Sequence, residues 1–307
     1  MTPDDSLPQL DSMLASRIAR PNPGIQLDAQ INALQEEISS LSDEISILRK
    51  RDETVKFYMN RIDEEMRLAA RLQQDFLPKA LPQIGPVRFH TMFRPAGYVS
   101  GDLYDVMRLD ESNVGFYMAD AVGHGMPAAL LTMFIKNALV TKQIGAGGYR
   151  LLAPGETMAR LNEVLVGQNL SYATFATAIY GTINTKTLEV SFARGGHPNP
   201  ILLRHDGTTE VLPADGSLLG IFPDETFSTT TTKLFPGDRL LIYTDGIEVA
   251  FSEDRQTADA QQWHREVQNR RHLSGEQIIQ SMAEHLDGES GSLDPKDDLT
   301  IIVAEVL

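Results

Sequence analysis

The spacing of apolar residues changes twice along the chain and divides it into three parts. Residues 1–24 are polar and interrupted by prolines, which is typical of a disordered leader. From residue 25 to residue 78, apolar side chains recur at alternating intervals of four and three residues. Residues 79–307 instead carry short β-like runs separated by turn residues. The pattern therefore predicts a leader, one long helix and a folded domain.

The heptad spacing in the second part favours a parallel two-stranded coiled coil. Isoleucine and leucine fill the a and d positions respectively, in the seam Leu27, Ile31, Leu34, Ile38, Leu41, Ile45 and Leu48. Asp52 interrupts the register at an a position, and the pattern resumes from Val55 to Ala69. The alternative is a single amphipathic helix lying on the domain, whose apolar stripe would be wider. We expect a homodimer through residues 27–69.

The end of this helix carries more apolar residues than a coiled-coil seam requires. They are Met66, Leu68, Ala69, Leu72, Phe76 and Leu77. Part of this surface is expected to pack on the folded domain while the seam faces a partner helix, and replacing Phe76 or Leu72 with alanine is expected to change activity or metal affinity severalfold. A helix shared in this way can transmit a change of orientation to the domain. The alternative is a passive tether.

The third part predicts an α+β domain. Its β-like runs are Val87–Arg94, Leu103–Leu109, Val114–Ala119, Phe175–Asn184, Leu188–Ala193, Ile201–Leu203, Arg239–Thr244 and Leu299–Val306. Helical patterns occupy Pro127–Lys142, Glu156–Asn169 and a segment from Ser274 to about Leu286, where Ser274 and Gln277 have capping-box spacing. Many strands with helices in separate blocks predict two packed antiparallel sheets with helices outside.

Composition narrows the class of protein. The 307 residues have a net charge of −15 and include no cysteine. Because no basic cluster offsets this charge, neither a nucleic-acid footprint nor an anionic membrane partner is expected. The missing cysteines exclude disulfides, thiolate zinc sites and cysteine nucleophiles. No apolar run reaches the ~18 residues of a membrane span, and the N-terminus does not resemble a signal peptide. We expect a cytoplasmic protein.

Aspartates stand at the ends of four β-like runs. Asp102 opens one run, Asp120 and Asp245 each close one, and Asp297–Asp298 opens the last. A single aspartate at a strand end is usually a turn former, but converging carboxylates repel each other unless a cation lies between them. Mg²⁺ and Mn²⁺ prefer such oxygen ligands. The arrangement predicts two divalent ions ~4 Å apart and a bridging water that attacks a phosphoryl group.

These aspartates lie in longer motifs that follow one another in a fixed order. The motifs are Ser-Gly-Asp-Leu-Tyr-Asp (100–105), Ala-Asp-Ala-Val-Gly-His-Gly-Met-Pro-Ala-Ala (119–129), Phe-Ala-Thr-Ala (175–178), Gly-Gly-His-Pro-Asn-Pro (195–200), Pro-Gly-Asp-Arg-Leu-Leu-Ile-Tyr-Thr-Asp-Gly-Ile (236–247) and Asp-Asp-Leu-Thr-Ile-Ile-Val (297–303). Together they resemble the metal-dependent type 2C (PPM) protein serine/threonine phosphatases, in the bacterial SpoIIE/RsbU-like branch. The resemblance covers residues 64–307.

The resemblance implies an αββα sandwich with Mn²⁺ or Mg²⁺ at one end of the sheets. It carries metal ligation onto Asp102, Asp120, the backbone carbonyl of Ala121, Asp245 and the Asp297–Asp298 pair, in which Asp297 aligns with the ligand. It also implies hydrolysis of phosphoserine or phosphothreonine on a small regulatory protein, typically an anti-sigma-factor antagonist of the STAS type, with an upstream regulatory protein. The alternative is a pseudophosphatase that acts as a coiled-coil binding module.

Other polar residues have roles that the sequence leaves open. His124 and His197 could donate a proton to the leaving group, or could shape their loops. Asp105 could orient a metal-bound water from the second coordination shell, or could cap a strand end. Arg94 could hold the substrate phosphate. The stretch Phe251–Leu273 departs from the family pattern and is expected to flank the substrate groove.

Overall fold

The structure is a computed structural model that describes residues 23–145, 147–168, 175–252, 257–288 and 296–307. The chain divides into two compact units, Met1–Glu64 and Glu65–Leu307. Nearly all of the predicted leader, residues 1–24, lies outside the described residues. Among the helices that are described, none has the length and apolar character needed to cross a bilayer.

A single long helix, α1, runs from Pro23 to Phe76. In its N-terminal unit the seam residues Ile31, Ile38 and Ile45 are exposed to solvent. Large apolar side chains on an isolated helix contribute little to its stability until a second surface buries them. The exposed a-position isoleucines are therefore available to pack against a second helix. The homodimer remains a prediction.

The last turns of α1 belong to the second unit and pack through a narrow face. Gln73 is buried, Ala69 and Phe76 are half-buried, and Leu68 and Leu72 are each 53% exposed. The expected packing therefore involves only part of the apolar surface, and Leu72 lies outside that part. Each helical residue turns by about 100°, which places Leu68 and Leu72 to the side of the face that carries Ala69, Gln73 and Phe76.

The domain contains twelve strands and five further helices among its described residues. The strands are β1 Val87–Arg94, β2 Asp102–Arg108, β3 Asn113–Ala121, β4 Lys142–Gly145, β5 Gly148–Leu151, β6 Ala176–Asn184, β7 Glu189–Gly195, β8 Ile201–Leu203, β9 Thr209–Val211, β10 Thr230–Lys233, β11 Arg239–Tyr243 and β12 Leu299–Val306. The helices are α2 Met126–Ala138, α3 Pro154–Gly167, α4 Asp245–Ala250, α5 Ala260–Asn269 and α6 Gly275–Gly288.

Two five-stranded antiparallel sheets form the centre of the domain. One has the strand order β1-β12-β11-β8-β9, and the other has the order β10-β7-β6-β3-β2. Phe116 and Phe192 from the second sheet share a buried core with Ile242 and Ile302 from the first. Helices α2 and α3 cover the outer face of the second sheet, and α5 and α6 cover that of the first. The predicted αββα sandwich is confirmed.

Two local predictions have different outcomes. At the start of α6, Ser274 N donates to Gln277 Oε1 (3.0 Å) and Gln277 N donates to Ser274 Oγ (3.3 Å), so the predicted capping box is present. The helix predicted over Pro127–Lys142 instead ends at Ala138, and the chain turns into the β4–β5 hairpin. There Lys142 Nζ donates to the backbone carbonyl of Leu109, a contact that sequence periodicity does not reveal.

Candidate metal centre

Two of the predicted aspartates face each other across neighbouring strands. Asp102 at the start of β2 is paired with Asp120 near the end of β3. Both residues lie on the face of their sheet that is turned toward the other sheet, because side chains alternate along a strand and Tyr104 and Met118 lie in the inter-sheet core. Their carboxylates therefore lie at one end of the sandwich, between the sheets.

The opposite sheet holds Asp102 in place. Thr244 Oγ1, at the end of β11, donates to Asp102 Oδ2 at 2.8 Å, and Thr300 Oγ1 on β12 donates to the same oxygen at 2.5 Å. Asp102 is almost completely buried, so these two hydroxyls stabilise a charge that water does not reach. The bonds also join the two sheets at the point where the aspartates meet.

The turn after β11 brings Asp245 to the same region. Asp245 begins α4, and the next residue, Gly246, lies against the segment before β12. A Cβ atom at Gly246 would lie 2.1 Å from the carbonyl oxygen of Asp298 and 3.2 Å from Cβ of Asp297. Only glycine permits this approach, which explains in physical terms why glycine follows the aspartate here.

The Asp297–Asp298 pair has two different environments. Asp298 is buried, and its two carboxylate oxygens accept the N–H groups of Ala96 (2.7 Å) and Gly101 (2.6 Å). Asp297 is exposed, and its Oδ1 accepts only its neighbour's N–H (2.9 Å) among the bonds in the described residues. The geometry favours Asp297 as the residue available to a metal and Asp298 as the residue that fixes the loop before Asp102.

The electrostatics indicate that these carboxylates share one space. Burial and, next, repulsion from Asp120 raise the pKa of Asp102 well above its usual range. Burial, followed by repulsion from Asp245 and Asp297, raises the pKa of Asp120 to about 8. Burial likewise raises the pKa of Asp297. Carboxylates that destabilise each other in this way are stabilised by a cation between them.

The donor set fits Mg²⁺ or Mn²⁺. It consists of carboxylate oxygens and the backbone carbonyl of Ala121, which are hard ligands, and no cysteine is present in the chain. Gly101 gives Ala121 room, since a Cβ at Gly101 would lie 3.3 Å from the Ala121 carbonyl oxygen. Within the described ranges no three acidic or histidine side chains already enclose a single point.

A glutamine of α1 is hydrogen-bonded to the segment just before β2, the strand that begins with Asp102. Gln73 Nε2 donates to the carbonyl of Ser100 at 2.7 Å, and Gln73 Oε1 accepts from Ser100 N at 2.8 Å. Ser100 Oγ in turn accepts from Asp102 N at 3.0 Å. The buried amide therefore fixes the segment immediately before Asp102. The sequence signal was a polar residue on the face of α1 that otherwise packs inward.

The structure changes the interpretation of Asp105 and Arg94. Asp105 is an odd number of residues from Asp102 on β2, so it lies on the outer face of the sheet, where Lys136 Nζ is 2.8 Å from its Oδ2. The hypothesis that Asp105 orients a metal-bound water is wrong. Arg94 donates to Asp287 Oδ1 at 2.7 Å on α6, which occupies its guanidinium and does not support a role in holding phosphate.

The two histidines, His124 and His197, have different environments. His197 is buried, with Nδ1 2.9 Å from Thr177 Oγ1. Burial and, next, the charge of Arg194 lower its pKa to about 3, so the ring is neutral near neutral pH and does not provide an imidazolium acid. His197 therefore shapes its loop. His124 is exposed in the loop between β3 and α2. Its position is compatible with both predicted roles, donating a proton to the leaving group and shaping the loop.

A cavity of about 330 Å³ adjoins Asp245. It is lined by His197 and Glu248 and, from α5, by Ala260 and His264. The helix α5 is anchored by the buried Trp263. Part of the divergent stretch Phe251–Leu273 therefore lies beside a candidate metal ligand, although residues 253–256 lie outside the described residues.

The sandwich with aspartates at one end of its two sheets is a PP2C-type fold. The solved structure titled "SiaA-PP2C domain of Pseudomonas aeruginosa" matches with a TM-score of 0.68 and 18% identity, covering 81% of this chain and 98% of that one. The chain belongs to the SpoIIE family, because the family described as Stage II sporulation protein E matches residues 110–307, more than half of the chain. The resemblance predicted from the motifs is confirmed.

Two curated relatives extend the similarity. Protein IcfG of Synechocystis is 26% identical over 278 residues, which are 82% of this chain and 44% of IcfG. Phosphoserine phosphatase RsbP of Bacillus subtilis is 31% identical over 186 residues, which are 60% of this chain and 45% of RsbP. The chain thus spans less than half the length of either relative.

Substitutions at Asp297 and Asp298 are expected to have different effects. Asp297→Asn removes the charge of a candidate ligand and should weaken Mn²⁺ binding by at least about tenfold, with little change in thermal stability. Asp298→Asn replaces one acceptor oxygen by an NH₂ donor that faces a backbone N–H. Its main effect should therefore be a lower melting temperature rather than weaker Mn²⁺ binding. Calorimetric metal titration and thermal unfolding of both variants test this. Equal loss of Mn²⁺ affinity at unchanged stability in both would contradict the distinction.

Proposed function

We propose that the chain is a metal-dependent phosphoprotein phosphatase that hydrolyses phosphoserine or phosphothreonine. The observation that carries this proposal is the convergence of Asp102, Asp120, Asp245 and Asp297 at the end of two sheets in a member of the SpoIIE family. These side chains and the Ala121 carbonyl would hold two Mn²⁺ or Mg²⁺ ions. Such ions, when bound, supply an activated water and neutralise charge on a phosphoryl group.

The residues of the chain supply orientation. Thr244 and Thr300 fix Asp102 from the opposite sheet, and Asp298 fixes the loop that precedes it. Placing ligands on strand ends supported by such bonds keeps them close to a productive geometry. No protein nucleophile is required in this scheme, which agrees with the absence of cysteine in the sequence.

The proposed substrate is a small phosphorylated regulatory protein of the STAS type. Support comes from the motifs shared with the SpoIIE/RsbU-like branch and from the relative RsbP, whose name is phosphoserine phosphatase. The setting would be a partner-switching signalling pathway. Phosphoproteomics of a strain lacking the gene should reveal one small protein whose phosphoserine accumulates. A STAS protein among the accumulating phosphoproteins would support this substrate, and accumulation confined to other proteins would exclude it.

The proposal includes a regulatory role for α1. The exposed seam would form a homodimer, and Gln73 connects the last turns of the helix to the segment before Asp102. An upstream partner that reorients the coiled coil would then act on the position of Asp102. The hydrogen bonds between Gln73 and Ser100 would therefore couple the helix to the metal centre.

Hydrolysis of p-nitrophenyl phosphate tests the proposed activity. The purified chain should turn over this substrate with Mn²⁺, and EDTA should abolish turnover, because the carboxylates alone provide no electrophile. A matched Asp245→Asn variant should be inactive while remaining folded. Metal binding without turnover of either p-nitrophenyl phosphate or a phosphoserine peptide would instead indicate a pseudophosphatase that serves as a binding module.

A further inference from the structure

The cavity beside Asp245 contains a carboxylate that the proposed metal chemistry does not use. Glu248 lies on α4, three residues after Asp245, and its side chain lines this cavity of about 330 Å³. Its Oε1 accepts a hydrogen bond from Tyr243 Oη at 3.1 Å. Among the described residues, no cation is paired with this carboxylate. Glu248 is therefore a partly buried acid that faces an open space.

The electrostatics around Glu248 favour a positive occupant of the cavity. Burial is the main cause that raises the pKa of Glu248, and the hydrogen bond from Tyr243 opposes it. Repulsion from Asp245 and Asp259 adds to the rise. A positive charge placed in the cavity would stabilise the ionised carboxylate against both burial and repulsion.

The basic side chains that line the cavity do not supply this charge. Arg194 directs its guanidinium to the backbone, where it donates to the carbonyls of Ala214 and His197. Burial lowers the pKa of His264 and of His197, so both rings are neutral near neutral pH. Within the described part of the chain, the carboxylate of Glu248 therefore lacks a partner of opposite charge.

The other walls of the cavity suit a long side chain with a polar end. Pro198, Val211 and Ala260 contribute apolar surface, against which the methylene stem of a lysine or arginine can pack. The ring of His197 is completely buried and also lines the cavity, and its Nε2 makes no hydrogen bond of ordinary geometry within the described residues. Such an atom is normally completed by a bound polar group or a water.

The position of the cavity places it beside the phosphorylated residue of a substrate. Asp245 belongs both to the wall of the cavity and to the candidate metal centre. An extended peptide advances about 3.3 Å per residue, so side chains close in sequence to a phosphoserine at the metal centre reach the cavity. Another wall is formed by Ala260 and His264 of α5, in the stretch that departs from the family pattern.

We propose that this cavity is a specificity subsite in which Glu248 binds a lysine or arginine side chain of the substrate protein. The basic residue lies within about three positions of the phosphoserine. This inference rests on the proposed function and adds a feature of the substrate that the metal centre does not select, since metal ions contact only the phosphoryl group. The same carboxylate would disfavour substrates that carry an acidic residue at that position.

A set of phosphoserine peptides tests the subsite, with the full chain at saturating Mn²⁺. Each peptide carries one lysine, before or after the phosphoserine, in an otherwise uncharged sequence, and its partner peptide carries methionine at the same position. Methionine keeps an unbranched stem without the charge. At one position or more, kcat/KM for the lysine peptide should exceed that for the methionine peptide by about fivefold, the upper end for a partly exposed ion pair.

Three variants connect this preference to the cavity. Glu248→Gln keeps the size of the side chain, removes its charge and should abolish the preference for lysine. Ala260→Phe places a ring in the cavity from the exposed start of α5, without altering Glu248 or Asp245, and should also abolish it. The matched control is Glu276→Gln, which removes an exposed glutamate at the start of α6, away from the cavity lining, and should keep the wild-type preference.

Equal kcat/KM for every lysine and methionine pair in the wild-type chain would overturn the inference and leave the proposed function intact. A lysine preference that survives in both Glu248→Gln and Ala260→Phe, or that Glu276→Gln also abolishes, would overturn it as well. If Glu248→Gln kept the preference but bound Mn²⁺ as weakly as Asp245→Asn in calorimetry, Glu248 would belong to the metal centre instead. If the wild-type chain hydrolysed neither phosphoserine peptides nor p-nitrophenyl phosphate, the proposed function would fail, and this inference with it.

Discussion

An Asp120→Asn variant is expected to lose turnover of p-nitrophenyl phosphate by about a thousandfold at saturating Mn²⁺. The substitution barely changes shape but removes a negative charge from the space that Asp120 shares with Asp245 and Asp297. The metal-free variant should remain folded, because it also removes repulsion. Steady-state kinetics and circular dichroism measure both effects. Near-wild-type turnover at saturating Mn²⁺ would rule out the metal assignment.

The pH dependence of unfolding gives this variant an independent readout. The folded-state pKa of Asp120, about 8, lies above its ordinary value of 3.8. The folded protein therefore holds a proton that the unfolded chain releases, and its stability in EDTA should fall as pH rises from about 4 to about 8. Asp120→Asn should flatten this decline. As a control, Asp224→Asn alters an exposed aspartate with φ +58°, which asparagine tolerates, and should change neither quantity.

Replacing Ile45 with glutamate is expected to convert a homodimer into a monomer. Ile45 occupies an a position of the heptad pattern, where two opposed glutamates would place buried like charges in the seam. Ile47 occupies a c position and provides a matched control. In the single chain the two side chains are similarly exposed, at 50% and 54%. Ile47→Glu should therefore leave the dimer intact, because only a partner helix distinguishes the two positions.

Light scattering at tens of micromolar measures the expected masses. The wild-type chain and Ile47→Glu should have twice the mass of Ile45→Glu, and truncation at about residue 79 should also give a monomer. A wild-type chain that is monomeric under these conditions would contradict the coiled-coil prediction. The same result for both glutamate variants would show that association uses a different surface.

The aspartates at strand ends could be predicted from the sequence because the apolar runs that identify the strands lie directly beside them. Asp102 and Asp120 lie at the ends of apolar runs of strand length, which identify the two strands, and side chains then alternate between the two faces along each strand. This alternation places Asp105 on the opposite face from Asp102, since the two are three residues apart. Direct contact of Asp105 with a metal-bound water was therefore excluded by information that the sequence already contained.

Other features depend on contacts between distant parts of the chain. Nothing local distinguishes Asp297 from Asp298, because the N–H groups that bind Asp298 come from Ala96 and Gly101, which are 202 and 197 residues earlier. The β4–β5 hairpin was missed for a similar reason. Lys142 suits a helix end by propensity, but in the structure it is bonded to Leu109 in the β2–β3 turn.

The division of the aspartates between two sheets has a mechanical consequence. Asp102 and Asp120 lie on one sheet, whereas Asp245 and Asp297 lie beside β11 and β12 of the other. A bound ion would therefore act as a cross-link between the two layers, and its binding energy would oppose their sliding. A change that makes the two sheets slide more easily would then also weaken metal binding. Packing changes deep between the sheets, at Phe192 for example, would reach the centre without touching a ligand.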